Sequence, residues 1–119
     1  MNFSNHPHSK WDRNQTEAAS KFGDIIDIPF PEVPAEAGEN AIYDLAKKCV
    51  EQIESTLGDD GAVMVQGEFS LTYAVVTLLK QKGIKALSAC SERLVTEEVD
   101  ENGERVRKVR FEFKRFREY

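Results

Sequence analysis

The run Ala62-Val63-Met64-Val65 constrains this chain more than any other segment, because it offers no polar position to water. A strand with that composition must be covered on both faces, which is the condition of a parallel strand in an α/β sheet. Gly58-Asp59-Asp60-Gly61 before it reads as a turn. After it, Leu71, Ala74, Val75, Leu78 and Leu79 recur at helical spacing between Ser70 and Lys82, and Gly83 ends the helix. Ile84 to Cys90 supplies the next strand. A strand–helix–strand unit of this kind closes with a right-handed crossover and places its strands in parallel.

The same alternation extends toward the start of the chain. Met1 to Ser4 forms a short first strand. Ser9 then starts a helix with Asp12 as its capping-box partner, Trp11, Gln15, Ala18, Ala19 and Phe22 on one face, and Gly23 at its end. Asp24 to Ile28 is a second strand stopped by Pro29, and Pro31 and Pro34 keep the following stretch extended. A second helix runs from Glu39 to Leu57, apolar through Ile42, Leu45, Ala46, Cys49 and Ile53. Beyond the fourth strand, Arg93 to Val99 and Arg105 to Phe116 alternate around Asn102-Gly103, a strong hairpin signal. The expected fold is a single α/β domain over residues 1–119. It is a Rossmann-like three-layer sandwich with a mostly parallel sheet in the order 2-1-3-4 and a C-terminal antiparallel β-hairpin.

Composition narrows the function classes. With 40% hydrophobic and 31% charged residues the chain is globular rather than disordered. It carries no apolar run near the ~20 residues of a membrane helix and no secretory signal, so a cytoplasmic protein without membrane partners is expected. Cys49 and Cys90 stand far apart without a histidine nearby, and read as reduced residues rather than metal or redox ligands. The net charge of −5 divides unevenly: residues 105–119 carry +5 and residues 1–104 carry −10. A body this acidic repels duplex nucleic acid, whose non-specific binding rests on neutralising phosphates. The basic residues at the end of the chain alternate with Val106, Val109, Phe111, Phe113 and Phe116, as on the wet face of an amphipathic strand.

Three polar segments each follow an apolar run: Ser4-Asn5-His6-Pro7, Gln66-Gly67-Glu68-Phe69-Ser70 and Ser91-Glu92-Arg93. In the strand order 2-1-3-4 the switch point falls between the first and third strands, and ligands bind at the carboxyl edge there. One cleft is therefore expected, with Asn5, His6, Gly67, Glu68, Phe69, Ser70, Thr72, Ser91 and Arg93 as its ligand-binding set. His6 reads either as a general base or as a turn residue without chemistry. Arg93 suits a phosphate. Glu68 reads as a partner of Arg93, an acceptor of a ribose hydroxyl, or the cap of the third helix. Ser70 and Thr72 read as caps and secondary donors, and the helix start as a phosphate seat. Gly67 lets backbone approach a ligand closely. Phe69 and Tyr73 are the stacking candidates, whereas Trp11 reads as core and His8 as exposed loop. Asp24 and Asp27 read as structural, since no further ligand completes a metal site. P-loop and G-x-G-x-x-G signatures are missing, and no cofactor is expected.

Asn5-His6-Pro7, Trp11, Gln15, Ala18-Ala19, Gly23, Asp27-Ile28-Pro29-Phe30-Pro31 and Val33 resemble small stand-alone CRISPR-associated proteins of type III systems. Gly67-Glu68, Ser91-Glu92-Arg93 and the terminal Phe116-Arg117-Glu118-Tyr119 extend the resemblance over nearly the whole chain. Members resemble CARF domains, Rossmann-like dimers whose switch-point cleft binds cyclic oligoadenylate messengers, and some relatives are metal-independent ring nucleases. The resemblance implies a homodimer or higher oligomer that binds cyclic tetra-adenylate. It places Asn5, His6, Gly67, Glu68, Ser70, Thr72 and Arg93 around the ring, with His6 and Arg93 as the catalytic candidates. Two rivals stand beside it: an interaction protein that assembles through its C-terminal hairpin, and an unrelated small nucleotide-processing hydrolase.

Overall fold

The structure, a computed structural model, describes residues 1–58 and 61–119. The turn expected at Gly58-Asp59-Asp60-Gly61 falls on Asp59 and Asp60, outside the described residues. The strands are β1 (Asn2–Ser4), β2 (Asp27–Pro29), β3 (Ala62–Gln66), β4 (Lys85–Val99) and β5 (Arg105–Glu118). The helices are α1 (Arg13–Ser20), α2 (Glu39–Thr56) and α3 (Phe69–Gln81). The apolar run lies in the middle of one five-stranded sheet, ordered β2-β1-β3-β4-β5. β1 pairs in parallel with β2 and β3, β3 pairs in parallel with β4, and β5 is antiparallel to β4. Among the described residues no helix is long and apolar enough to cross a membrane.

The two faces of the sheet differ in chemistry. Phe3, Ile28, Val63, Val65 and Ala86 turn toward α2 and α3, where Ile42, Ala46, Ile53, Leu71, Val75 and Leu79 complete a buried cluster. Their cross-strand partners by register, such as Phe3 with Val65 and Val63 with Ala86, share that face. The intervening positions Asn2, Ser4, Met64, Gln66 and Leu87 point the other way. That second face meets α1, whose Gln15 amide lies 3.7 Å from the Met64 sulfur. No residue of α1 is fully buried. It is held instead by rings: Phe116 lies 6.3 Å from both Trp11 and Phe22, and 4.9 Å from Phe113.

Three element boundaries depart from the sequence reading. Ser9 does not start α1 but sits in a 3-10 turn over His8–Lys10, after which Trp11 is extended. Asp12 is the N-cap, its carboxylate accepting from the Gln15 amide at 2.8 Å, because a carboxylate there outcompetes any more distant cap. β2 is shorter than expected, pairing only along the three residues that β1 presents. β4 does not end at Cys90. It continues to Val99 with β5 as its partner throughout, so Ser91-Glu92-Arg93 is strand rather than a loop leaving one. A register shift between Cys90 and Ser91 marks the place.

Gly67 follows β3 directly and illustrates how tightly the α2/α3 side is filled. A Cβ there would meet three ring atoms of Phe30 at 2.7 Å. Phe30 in turn rests against Phe3, with ring centroids 5.0 Å apart. Gly67→Ala is expected to lower unfolding free energy by about 1–3 kcal/mol, the usual cost of overpacking. Urea denaturation followed by far-UV circular dichroism measures it; an unchanged midpoint would show that the Phe30 ring moves freely.

Candidate functional site

The carboxyl edge of β1 is organised by a buried amide. Asn2 is only 1% exposed, and its Nδ2 donates to Asp27 Oδ1 at 2.8 Å and to the His6 carbonyl at 2.9 Å. Its Oδ1 accepts from the Ser4 hydroxyl at 2.6 Å. Strand alternation puts Asn2 and Ser4 on one face, so both reach the loop that leaves β1. The His6 carbonyl also receives the Trp11 indole N–H at 3.2 Å, and the His6 amide donates to Ser4 Oγ at 3.1 Å. The backbone that carries the His6 imidazole is thus fixed from several directions, while the ring stays in solvent. Asp27 closes the network through the His8 ring, Nδ1 to Oδ2 at 2.8 Å. Partial burial works to raise the Asp27 pKa, but hydrogen bonds from Asn2 and His8 outweigh it and hold the carboxyl below its ordinary value.

Beside this loop the sheet opens. β3 and β4 pair only as far as Met64 and Leu87. Past that point the Gln66 side chain takes the Ala89 amide at 2.9 Å, standing in for the missing ladder bond. Asp12 spans the other side, capping α1 with one oxygen and accepting the Phe113 amide at 3.4 Å with the other. Between them lies a cleft of about 380 Å³. Asn5, His6, Lys10, Gln15 and Ser91 bring donors to it, and Trp11, Phe111 and Phe113 bring rings. Lys10 has no carboxylate within ion-pair distance among the described residues. Such a lining offers hydrogen-bond donors and one cation on one side, ring surface on the other, and the Asp12 carboxylate at its border.

Of the residues expected in the site, the structure brings together Asn5, His6 and Ser91. Arg93 is exposed and lies two residues further along β4, opposite Phe111 and outside the cleft lining. The second polar segment goes elsewhere. Glu68 caps α3, accepting the Ser70 and Leu71 amides at 3.0 and 2.8 Å. Those bonds, Leu71 first, hold its carboxyl below the ordinary value. A carboxylate therefore already fills the helix start that the sequence reading offered to phosphate. Phe69 and Ser70, with Tyr73, line a separate groove against α2. Thr72 keeps its hydroxyl buried with no hydrogen-bond partner among the described residues. Gly67 is small because of Phe30, so close packing rather than a ligand explains it. Trp11 is not simply core, since it is half-buried and lines the cleft. His8 is more than an exposed loop residue, being tied to Asp27.

Lys10, Gln15 and Phe111 line the cleft although they stand in none of the three polar segments, and of the second segment only Gln66 reaches it. The spacing of Trp11 and Gln15 and the i, i+2 polar pair Asn2 and Ser4 in a strand flanked on both sides were the signals available. Among the described residues no group of three or more His, Cys, Asp or Glu is placed to hold a metal ion.

Residues 1–117 match the family described as the Uncharacterized protein MJ1673 family. The chain belongs to that family. No curated protein and no solved structure matches the chain.

Because the folded state lowers the Asp27 pKa, its contribution to stability is complete above the ordinary carboxylate range and is lost as pH falls through the folded value. Melting temperatures taken between about pH 6 and about pH 3 should fall more steeply for the wild type than for Asp27→Asn. Parallel curves would show that the His8 and Asn2 bonds to Asp27 carry no net stability.

Proposed function

We propose that this chain binds a cyclic oligoadenylate second messenger, cyclic tetra-adenylate foremost, in clefts contributed by two copies, and opens the ring slowly to damp type III CRISPR signalling. On this reading the α/β sheet with helices on both faces is a Rossmann-like, CARF-like sandwich, and the protein is cytoplasmic. The observation that carries the proposal is the convergence of Lys10, His6, Asn5 and Ser91 with the Trp11 and Phe111 rings at the switch point between β1 and β3. A cleft of about 380 Å³ is at the small end of the ~300–1,000 Å³ typical of ligand sites. It has room for about one nucleotide of a four-nucleotide ring. A two-fold dimer presents each lining residue twice to a ligand that itself has two-fold symmetry.

Ring opening needs only the ligand's own nucleophile. A ribose 2′-oxygen attacks the adjacent phosphorus in line, the bond from phosphorus to the 5′-oxygen breaks, and a 2′,3′-cyclic phosphate forms. The 2′-proton passes to the His6 imidazole, and the departing 5′-oxygen takes up a proton from solvent water. The fixed His6 backbone supplies orientation, and Lys10, which lines the same cleft, offsets the charge that develops on the phosphoryl oxygens. Assembly through the free β5 edge is opposed by charge. Two such edges laid antiparallel would bring together strands with seven Lys and Arg each over residues 105–119.

Trp11 is the single tryptophan of the chain and lines the cleft, so its fluorescence reports on occupancy. Titration with cyclic tetra-adenylate is expected to give a saturable change at micromolar ligand. A flat titration together with no retention of labelled ligand would overturn the reading. With EDTA present, one cut by each copy of the dimer should turn the ring into two linear di-adenylates ending in 2′,3′-cyclic phosphate, for the wild type and not for His6→Ala. Binding without product in both would make the protein a reservoir for the messenger rather than a nuclease.

A further inference from the structure

Phe111 is an anomaly on its strand. It is 67% exposed, although β5 elsewhere puts its large rings into the cluster under α1. Trp11, Phe22, Phe113 and Phe116 each lie against another ring of that cluster. Among the described residues Phe111 has no such ring partner, although it shares a face with Phe113 and lines the same cleft. Its directly opposed neighbour on β4 is Arg93. Arg93 makes no ion pair among the described residues, and the cation–π contact found among them is Lys47 over Tyr43. The Phe111 ring face is therefore uncovered, with an uncommitted guanidinium at its side.

We infer that Phe111 is a stacking platform for a purine base whose phosphate lies in the cleft, and that Arg93 pairs the next phosphate along the ligand. The inference rests on the nucleotide reading of the cleft given above and adds the element that selects the base. Phe111 lines the same cleft as Lys10, Asn5 and Ser91, so a base on its ring and a phosphate among those donors belong to one ligand. Apolar flat surface next to a cation is the lining that single-stranded nucleotides meet in other sites, where the ring contacts the base and the cation the backbone. Base identity then enters through stacking strength, which is greater for purines than for pyrimidines.

The test compares cyclic tetra-adenylate with cyclic tetra-uridylate on the wild type, Phe111→Ala, Phe111→Trp and Arg93→Ala, with melting curves for each protein. The wild type should prefer the adenylate ring. Phe111→Ala should weaken adenylate binding by about 5- to 150-fold, the range expected for loss of one stacked base, and compress the preference for adenylate. Phe111→Trp should restore both. Arg93→Ala should weaken both rings alike and flatten the dependence of affinity on salt. Unchanged affinities in Phe111→Ala, with the wild type binding adenylate, would overturn the platform while leaving the nucleotide site standing. Binding of neither ring by the wild type would overturn the site itself. Should Phe111→Ala melt early, Phe111→Leu keeps an apolar strand residue without a flat face and must show the same loss.

Discussion

The Asn2 side chain holds the working edge of this protein together. β1 is a short bridge between β2 and β3, three residues long, and it carries the loop that supplies His6. A buried primary amide has two donors and an acceptor to satisfy, and an unmet one costs ~1–3 kcal/mol. Asn2 spends both donors across elements, on Asp27 in β2 and on the His6 carbonyl. The polar requirement of one residue thus ties a strand, its neighbour and a loop into one rigid unit. An apolar residue at this position would fill the space and leave the loop without a fixed path.

Much of the fold was legible because hydrophobic periodicity carried it. The unbroken run at Ala62–Val65, the helical spacing in Glu39–Leu57 and the Asn102-Gly103 turn correspond to β3, α2 and the β4–β5 hairpin. The alternation of strands and helices led to the sheet order observed. Boundaries were less legible where a tertiary partner sets them. β2 is as long as β1 permits, and β4 runs unbroken because β5 pairs along it across Ser91 and Glu92, a join not written in those residues.

The cleft was half legible for a related reason. Topology is enough to gather the end of β1 and the middle of β4, where its pairing with β3 has stopped, which is why Asn5, His6 and Ser91 are found together. It says nothing about which face of the sheet a segment turns to after its strand ends. The segment after β3 turns to the α2/α3 side, where Glu68 closes a helix and Gly67 gives way to Phe30. Lys10 and Gln15 reach the opposite side only because α1 begins at Arg13 and Asp12 anchors it to β5. Those placements depend on packing between faces, and no single stretch of sequence contains them.

The uneven charge noted along the chain takes on a spatial meaning in the folded molecule. β5 lies at one border of the sheet, but the +5 of residues 105–119 does not stand alone there, because residues 91–104, which supply the outer part of β4 and the turn, carry −5. Lys108 meets Glu98 at 2.7 Å and Lys114 meets Glu92 at 3.3 Å across the two strands. The hairpin is therefore close to electrical balance over its outer length. What reads along the chain as a contrast between an acidic and a basic stretch becomes, once the hairpin closes, a set of opposite charges facing one another. Such pairs favour one register over its neighbours, since a slipped strand would bring like charges together.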